Sequence, residues 1–545
     1  MTSTAPTPSD DGSQSEELAR AEGVDAAIDP MTPIVDPPPA RARGLADRAA
    51  QGFAFFAMQS IGVRVIRFAG NFALAWVLIP DDFTLYMLLL TVSQFVGVLR
   101  NAGVRDILVH RQANARRWVN AGAWLSGSVG LVLGITMAAT APLISMFFGR
   151  PELAPMIWVM SGSTFLQSLS QAPVGLLQSR MQFRLLATIE GTQSAGMMCL
   201  TVYCAFMGMG AMSFVLPLFV GAACRTAAVW YFARPEVSRR PQLRRWRYII
   251  GDSTRLASAD VARTITLQGD MIVLGRMFPG MTAVGHYAFG NSISRQSMMM
   301  ISRNLDFVLF PSLSKIQGDP RRQNAAFMRA LRLLALVGVP LCFLQAAVAD
   351  PLIHALVPER FYGTIPFIVV LSIGMAGRLM ISPAESMLRS QGRFSTFSKL
   401  NWIFAGVYTG AALVGALLLG KAMGVAIMIG VVTALGGIVY VLVALARTES
   451  PVRATWRVFA VPVLGATIAC GTGWWLSTFI PREGVVLGIA ACALVTVITG
   501  VIYLPIAWML ERSVCHELFE RVTGALGARV GGRVARLLPA RPSKA

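Results

Sequence analysis

Apolar runs of about 20 residues recur along this chain from Gln51 to Leu510, separated by short polar stretches in which arginine is prominent. A helix of that length covers roughly 30 Å, the thickness of a bilayer's hydrocarbon core. Backbone polar groups find no water at that depth, so each run has to satisfy them internally, as a helix. A membrane β-barrel would instead show short segments of alternating polarity. The pattern predicts an all-α integral membrane protein of about fourteen transmembrane helices. They fall near 52–79, 84–106, 120–148, 153–174, 186–207, 210–232, 249–275, 282–306, 330–356, 364–387, 396–419, 422–446, 456–479 and 484–508.

The pattern also repeats. Leu177-Gln178-Ser179-Arg180-Met181-Gln182-Phe183 follows the fourth run, and Leu388-Arg389-Ser390-Gln391-Gly392-Arg393-Phe394 follows the tenth, 211 residues later. The first run ends in Ile79-Pro80 with Tyr86 opening the next; the seventh ends in Phe278-Pro279 with Tyr287 opening the next. Six runs per half is an even number, so the copies share one orientation, which implies a pseudo-two-fold axis along the membrane normal and a site between two lobes. The expected organisation is a tail over 1–50, a six-helix N-lobe over 51–245, a six-helix C-lobe over 246–448, two extra helices over 449–510 and a basic tail over 511–545. Residues 1–45, rich in Pro, Ser, Asp and Glu and without periodicity, read as a disordered cytoplasmic tail, and Met1 opens no signal-peptide pattern. In the basic tail, Val514, Leu518, Val522, Leu526, Val530 and Val534 alternate with Arg521, Arg529, Arg533 and Arg536. That segment fits a helix lying on an anionic leaflet and a solvated tail equally well.

Eight arginines interrupt the apolar runs: Arg64, Arg67, Arg225, Arg255, Arg263, Arg295, Arg303 and Arg378. Each costs about 2.5–3.5 kcal/mol at mid-bilayer even on a lenient scale, so each must face a hydrated cavity or pair with an acid. Ser60, Arg64, Arg67 and Asn71 form one polar stripe in the first run, with no acid on that helix. The seventh run carries Asp252, Arg255, Asp260, Arg263, Thr266 and Asp270; the eighth carries Asn291, Arg295, Arg303 and Asp306; the tenth carries Arg378, Ser382 and Glu385. Guanidinium forks suit phosphate oxygens because they donate two aligned hydrogen bonds. Arg64, Arg67, Asn71, Arg263, Arg295 and Arg378 are therefore the expected substrate-binding residues of an anion-holding central cavity. Arg255, Asp260, Asp270, Arg303 and Asp306 are the expected gate or coupling residues. Arg255 and Arg303 fit a structural pairing with Asp252 and Asp306 equally well, and Asp260 and Asp270 fit either a coupling proton or cation or, more commonly, a salt bridge. Arg225 has no evident partner in the sequence and reads as structural.

The net charge of +20 raises nucleic acid as a partner, and the position of the charge removes it. Of the 48 Lys and Arg, 34 lie in one set of alternating loops and the segments flanking both ends, against five in the opposite loops. By the positive-inside rule both termini are cytoplasmic. Charged residues make up 14% of the chain against about 25% in a soluble protein, and mean hydropathy is +0.58. The seven cysteines form no CxxC pair and the four histidines no metal spacing, so no metal or cofactor is expected. No P-loop, HExxH or nucleophile elbow occurs, which argues against ATP hydrolysis by a Walker site and against enzymatic chemistry generally.

Several stretches resemble one known family, the bacterial polysaccharide flippases of Wzx type within the multidrug/oligosaccharidyl-lipid/polysaccharide exporter superfamily. They are Leu78-Ile79-Pro80-Asp81-Asp82-Phe83-Thr84-Leu85-Tyr86, with Thr84 where glycine is common, and Leu176 to Arg184 followed by Ala187-Thr188-Ile189-Glu190. Gly275-Arg276, Gly285-His286-Tyr287-Ala288 and Phe310-Pro311-Ser312-Leu313-Ser314 match the middle region, so the likeness spans roughly 45–450. The resemblance implies a V-shaped, two-lobed bundle working by alternating access. It implies a lipid-linked oligosaccharide on polyprenyl diphosphate as substrate, flipped across the bacterial inner membrane for exopolysaccharide or O-antigen synthesis. Polysaccharide polymerase and export machinery are the expected partners, and nothing in the sequence demands more than a monomer. Carried over by position, the diphosphate-binding residues are Arg64, Arg67, Arg263 and Arg295.

Other readings compete. A peptidoglycan precursor flippase shares the architecture. A multidrug exporter of cations would present acids where the first run presents arginines. A polytopic glycosyltransferase would use Asp81-Asp82 in the first external loop, yet no substantial external domain accompanies that pair.

Overall fold

A computed structural model describes residues 62–510 apart from 64–65, 101–114, 181, 236, 239–242, 317, 447–451 and 481–483. All regular structure among them is helical. The first helix, α1, covers 66–77. Then follow α2 (Pro80–Arg100), α3 (Ala115–Phe148), α4 (Leu153–Leu169), α5 (Gln171–Ser179), α6 (Phe183–Phe206), α7 (Met212–Ala233), α8 (Leu243–Met277), α9 (Thr282–Lys315) and α10 (Pro320–Leu356). After a 3-10 turn at Glu359–Thr364 come α11 (Ile365–Arg378), α12 (Ile381–Ser390), α13 (Phe394–Leu419), α14 (Ala422–Leu445), α15 (Val452–Ser477) and α16 (Val485–Leu510). This is a helical, multi-pass membrane protein. Among the described residues nine helical segments are long and apolar enough to cross a bilayer. The tails at 1–50 and 511–545 lie outside the described residues.

Helices α8 and α9, at 35 and 34 residues, each run about 50 Å, and they carry Asp260, Arg263, Asp270, Asn291 and Arg295 as polar stripes.

Two of the predicted spans are broken, and the breaks correspond. Proline lacks an N–H and its ring collides with the carbonyl four residues earlier. Pro173 stands four residues after Leu169, where α4 stops, and Pro383 stands four after Leu379, between α11 and α12. The restart repeats too: Gln182 caps α6 at φ −84, ψ 49 and Arg393 caps α13 at φ −82, ψ 50. Arg180 donates to the Ala233 carbonyl at the end of α7 (2.8 Å), and Arg393 donates to the Val443 carbonyl at the end of α14 (3.2 Å). The echo seen in sequence therefore recurs as one backbone restart, and an arginine, at a different position of each heptapeptide, ties it to the end of the helix beside it.

Helix α11 is seated by glycine. Gly374 and Gly377 lie against Gly430, Ala434 and Gly437 of α14 with backbone touching backbone. A Cβ at Gly437 would run into the Gly377 carbonyl, one residue from Arg378. Helices α15 and α16 pack on each other and on α10, where the Tyr503 hydroxyl donates to the Leu336 carbonyl (2.8 Å).

Gly437→Ala is expected to lower stability by about 1–3 kcal/mol, because neither backbone can yield. Gly410→Ala, which has open space around it, is expected to be neutral or stabilising by up to about 1 kcal/mol. Thermal unfolding of the two variants in detergent checks the pair; equal midpoints would refute the packing argument.

Candidate functional site

One face of α8 presents Asp260, Arg263, Leu267 and Asp270, spaced as helix neighbours. Facing it, α9 presents Tyr287, Asn291 and Arg295 at intervals of four. Between them lies Asp270, whose side chain is 0% exposed. Its Oδ2 accepts from the Tyr287 hydroxyl (2.6 Å) and from Asn291 Nδ2 (3.4 Å), and Arg295 stands 3.5 Å away as its ion-pair partner. Its Oδ1 accepts from the Met271 N–H at 2.9 Å. Arg295 spends its other donors on Asn291 Oδ1 (2.9 Å) and the Leu267 carbonyl (2.7 Å). Tyr408 of α13, fully buried, lies within electrostatic reach of Asp270.

Arg378 closes α11 beside this network. It lies within electrostatic reach of Arg263, Arg295, Asp270 and Tyr408, and it is 8% exposed. Its Nη1 is buried and hydrogen-bonded to nothing among the described residues. Tyr440 of α14 interacts with Arg378, Arg263 and the buried Glu385 of α12. Arg263 itself is exposed. In α1, Arg67 is exposed and reaches across to Ser194 of α6 (3.2 Å), while Asn71 is half-buried. The described structure thus gathers Arg263, Arg295 and Arg378 around Asp270. Asp260 is exposed one turn before Arg263. Arg64 and the side chains of Arg255, Arg303 and Asp306 lie outside the described residues.

A second cluster forms among α2, α4, α6 and α7, and it corrects one reading. Arg225 does have a partner: Glu190 at 3.3 Å, with Ser170 at 3.4 Å on another nitrogen. The acid sits 35 residues away on the neighbouring helix, so no spacing within the Arg225 run could reveal it. Arg100, inside the second predicted run but not among the eight arginines singled out there, joins the same cluster through Gln167 (2.9 Å).

The acid pair Asp81-Asp82 is spoken for. Arg150 clamps Asp81 with both terminal nitrogens, and Asp82 Oδ2 accepts from the Ile79 N–H (3.0 Å). Arg150 is held above its usual pKa by that carboxylate. These contacts make the pair a loop staple. No group of three or more His, Cys, Asp or Glu with metal-binding geometry occurs among the described residues.

Comparison with known proteins agrees with this architecture. The succinoglycan biosynthesis transport protein ExoT of Rhizobium meliloti (strain 1021) is 24% identical over 367 residues, covering 66% of this chain and 74% of that protein. The lipopolysaccharide biosynthesis protein WzxC of Escherichia coli (strain K12) is 22% identical over 352 residues, 63% of this chain and 70% of its own. The solved structure of the lipid II flippase MurJ, in its inward closed conformation, superposes with a TM-score of 0.67 over 84% of this chain and 99% of its own, at 12% identity, and so shows a shared fold. A family model described as polysaccharide biosynthesis protein matches residues 73–366, just over half of the chain. The chain therefore belongs to that polysaccharide biosynthesis protein family.

Proposed function

We propose that this protein flips undecaprenyl-diphosphate-linked oligosaccharide units across the bacterial inner membrane for surface polysaccharide synthesis, by alternating access through a cationic central cavity. The observation that carries the reading is Arg378, a buried guanidinium with an unspent donor beside Arg263 and Arg295. A diphosphate offers the paired anionic oxygens that such forks match. Arg67 reaches the same ligand from the other half, and Asn71 offers an amide on its helix. Relatives that bear polysaccharide and transport names support the saccharide as cargo. In this reading residues 51–245 and 246–448 are the two lobes, 449–510 adds two helices, both termini are cytoplasmic, and the chain works as a monomeric transporter, not an enzyme, alongside polymerase and export machinery.

Alternating access requires that one end of the bundle close while the other admits cargo. The end bearing Pro80, Arg150 and Arg360, external under this topology, is tied shut across the two halves. Trp76 Nε1 donates to the Leu356 carbonyl (2.8 Å), and Arg360 donates to the carbonyls of Ala75 (3.0 Å) and Trp76 (2.6 Å). Those carbonyls lie in the last turn of α1, which has no helical donor for them. Beneath them an aromatic plug joins Phe83 to Phe214 (5.3 Å), Phe289 (5.1 Å) and Phe361 (5.6 Å). Gly285 permits α9 to press against the Pro80 carbonyl.

Proteoliposomes holding a fluorescent polyprenyl-diphosphate oligosaccharide test the activity directly. Wild type is expected to move the lipid between leaflets, and Arg378→Ala to slow it by at least about tenfold, the loss of one charge-assisted contact. Wild type that fails to move it overturns the proposal; an Arg378→Ala protein that keeps full rate removes Arg378 from the site. For the closed end, Arg360→Ala is expected to raise amide hydrogen exchange at 72–80 and 356–364 by about tenfold, leaving α13 and α14 unchanged. Unchanged exchange at those segments counts against the tie.

A further inference from the structure

The groups around Asp270 are all hydrogen-bond donors. The Tyr287 hydroxyl, the Asn291 amide, the Arg295 guanidinium and the Met271 backbone N–H converge on its two oxygens. Sodium and other hard cations need the opposite, a shell of oxygen lone pairs. Two hydrogen bonds and the Arg295 ion pair crowd Oδ2, and the Met271 N–H takes one lone-pair site on Oδ1. Arg295 is itself fixed from three sides by Asp270, Asn291 Oδ1 and the Leu267 carbonyl, so its charge stays where a mobile counter-ion would have to sit.

We propose that Arg295 is a tethered counter-ion, a covalently attached cation that occupies the position beside Asp270 where a coupling ion would otherwise bind, so that this protein works without a metal cation or proton at Asp270. A buried carboxylate stripped of its partner is strongly unfavourable. Removing Arg295 should therefore create a demand for some other positive charge, met by an alkali cation entering from solution or by a proton on Asp270. The titratable and charged groups that face Asp270 are Tyr287 and Arg295 on α9, Tyr408 on α13 and Arg378 on α11. Arg378, whose fork this inference leaves for cargo, lies at the end of α11 with its Nη1 bonded to nothing among the described residues. The inference deepens the transport reading at the same site, yet its test reads stability in different ions and stands whether or not the cargo is the one proposed.

The full-length protein is purified in detergent, and its unfolding midpoint is measured in sodium, potassium or choline chloride at equal ionic strength, and at neutral and mildly acidic pH. Loss of helical circular dichroism reports unfolding, since a thiol dye would already label the exposed Cys199 and Cys224 in the folded protein. Wild type and Asp270→Asn are expected to show midpoints that do not distinguish sodium from choline. Arg295→Met is expected to unfold earlier in choline and to recover by at least about 2–4 °C with sodium or on acidification. Asp270→Asn/Arg295→Met is expected to lose that sensitivity and to be more stable than Arg295→Met alone. Should Arg295→Met not fold, recovery of folded protein in the double variant supports the tether, and failure of the double variant to recover overturns it. A wild-type midpoint that rises in sodium and loses the rise in Asp270→Asn also overturns the proposal, since a mobile cation would then bind beside Asp270. So does an Arg295→Met protein indifferent to both ions and pH.

Discussion

A guanidinium at the depth of the hydrocarbon has three ways to exist: paired with a buried acid, turned to water, or held ready for an anion. Much of this molecule follows from distributing its arginines among those three. Arg295 takes the first with Asp270, and Arg225 pairs with the partly exposed Glu190. Arg67 and Arg263 take the second, being exposed. Arg378, buried with a donor unspent, is the one the proposed function assigns to the third. Each placement constrains its neighbours. Three fully buried tyrosines, Tyr287, Tyr408 and Tyr440, stand where plain aromatics would pack as well, and their hydroxyls face the charged cluster. Helices α8 and α9 consequently give up the apolar character that their length would otherwise carry.

Irregular backbone at membrane depth is tolerated only where protein covers it. The break before Pro383 shows how that is met. Losing the Pro383 N–H frees the Leu379 carbonyl, and Leu379 and Met380 at the break are both 0% exposed. The glycine seam between α11 and α14 draws the helices together at the same level. The break also ends α11 at Arg378, which puts a cation at the negative end of the helix dipole, worth about 0.3–1 kcal/mol and more where solvent is scarce. The proline that spoils the helix thus positions and partly stabilises the residue on which the transport reading rests.

The parts readable from the sequence were those carried by period and repetition. The apolar runs fall on helices, and the heptapeptide echo at Leu177 and Leu388 marks a recurring restart, because both signals are local in the chain. The embedded arginines were equally visible as charges in apolar runs. Their partners were not. Glu190 lies a helix away from Arg225, and nothing in either run marks them as neighbours. Tyr408 and Tyr440 look like ordinary core aromatics until the fold turns them towards Asp270 and Glu385. Arg100 gives no sign in its own run of the contact it makes with Gln167 on another helix. Pairing across helices is a property of the packing, and one sequence carries no record of it.

Partial neutralisation also bears on how a carrier can let go. Three bare forks converging on one diphosphate would bind it tightly on both sides of the membrane, and a carrier must release what it holds. Asp270 removes one fork from that sum by holding Arg295 with its charge satisfied. Of the arginines gathered here, that leaves Arg378 and the exposed Arg263 for the anion under the proposed reading. Under the proposed cycle, the ion pair sets the strength of the site.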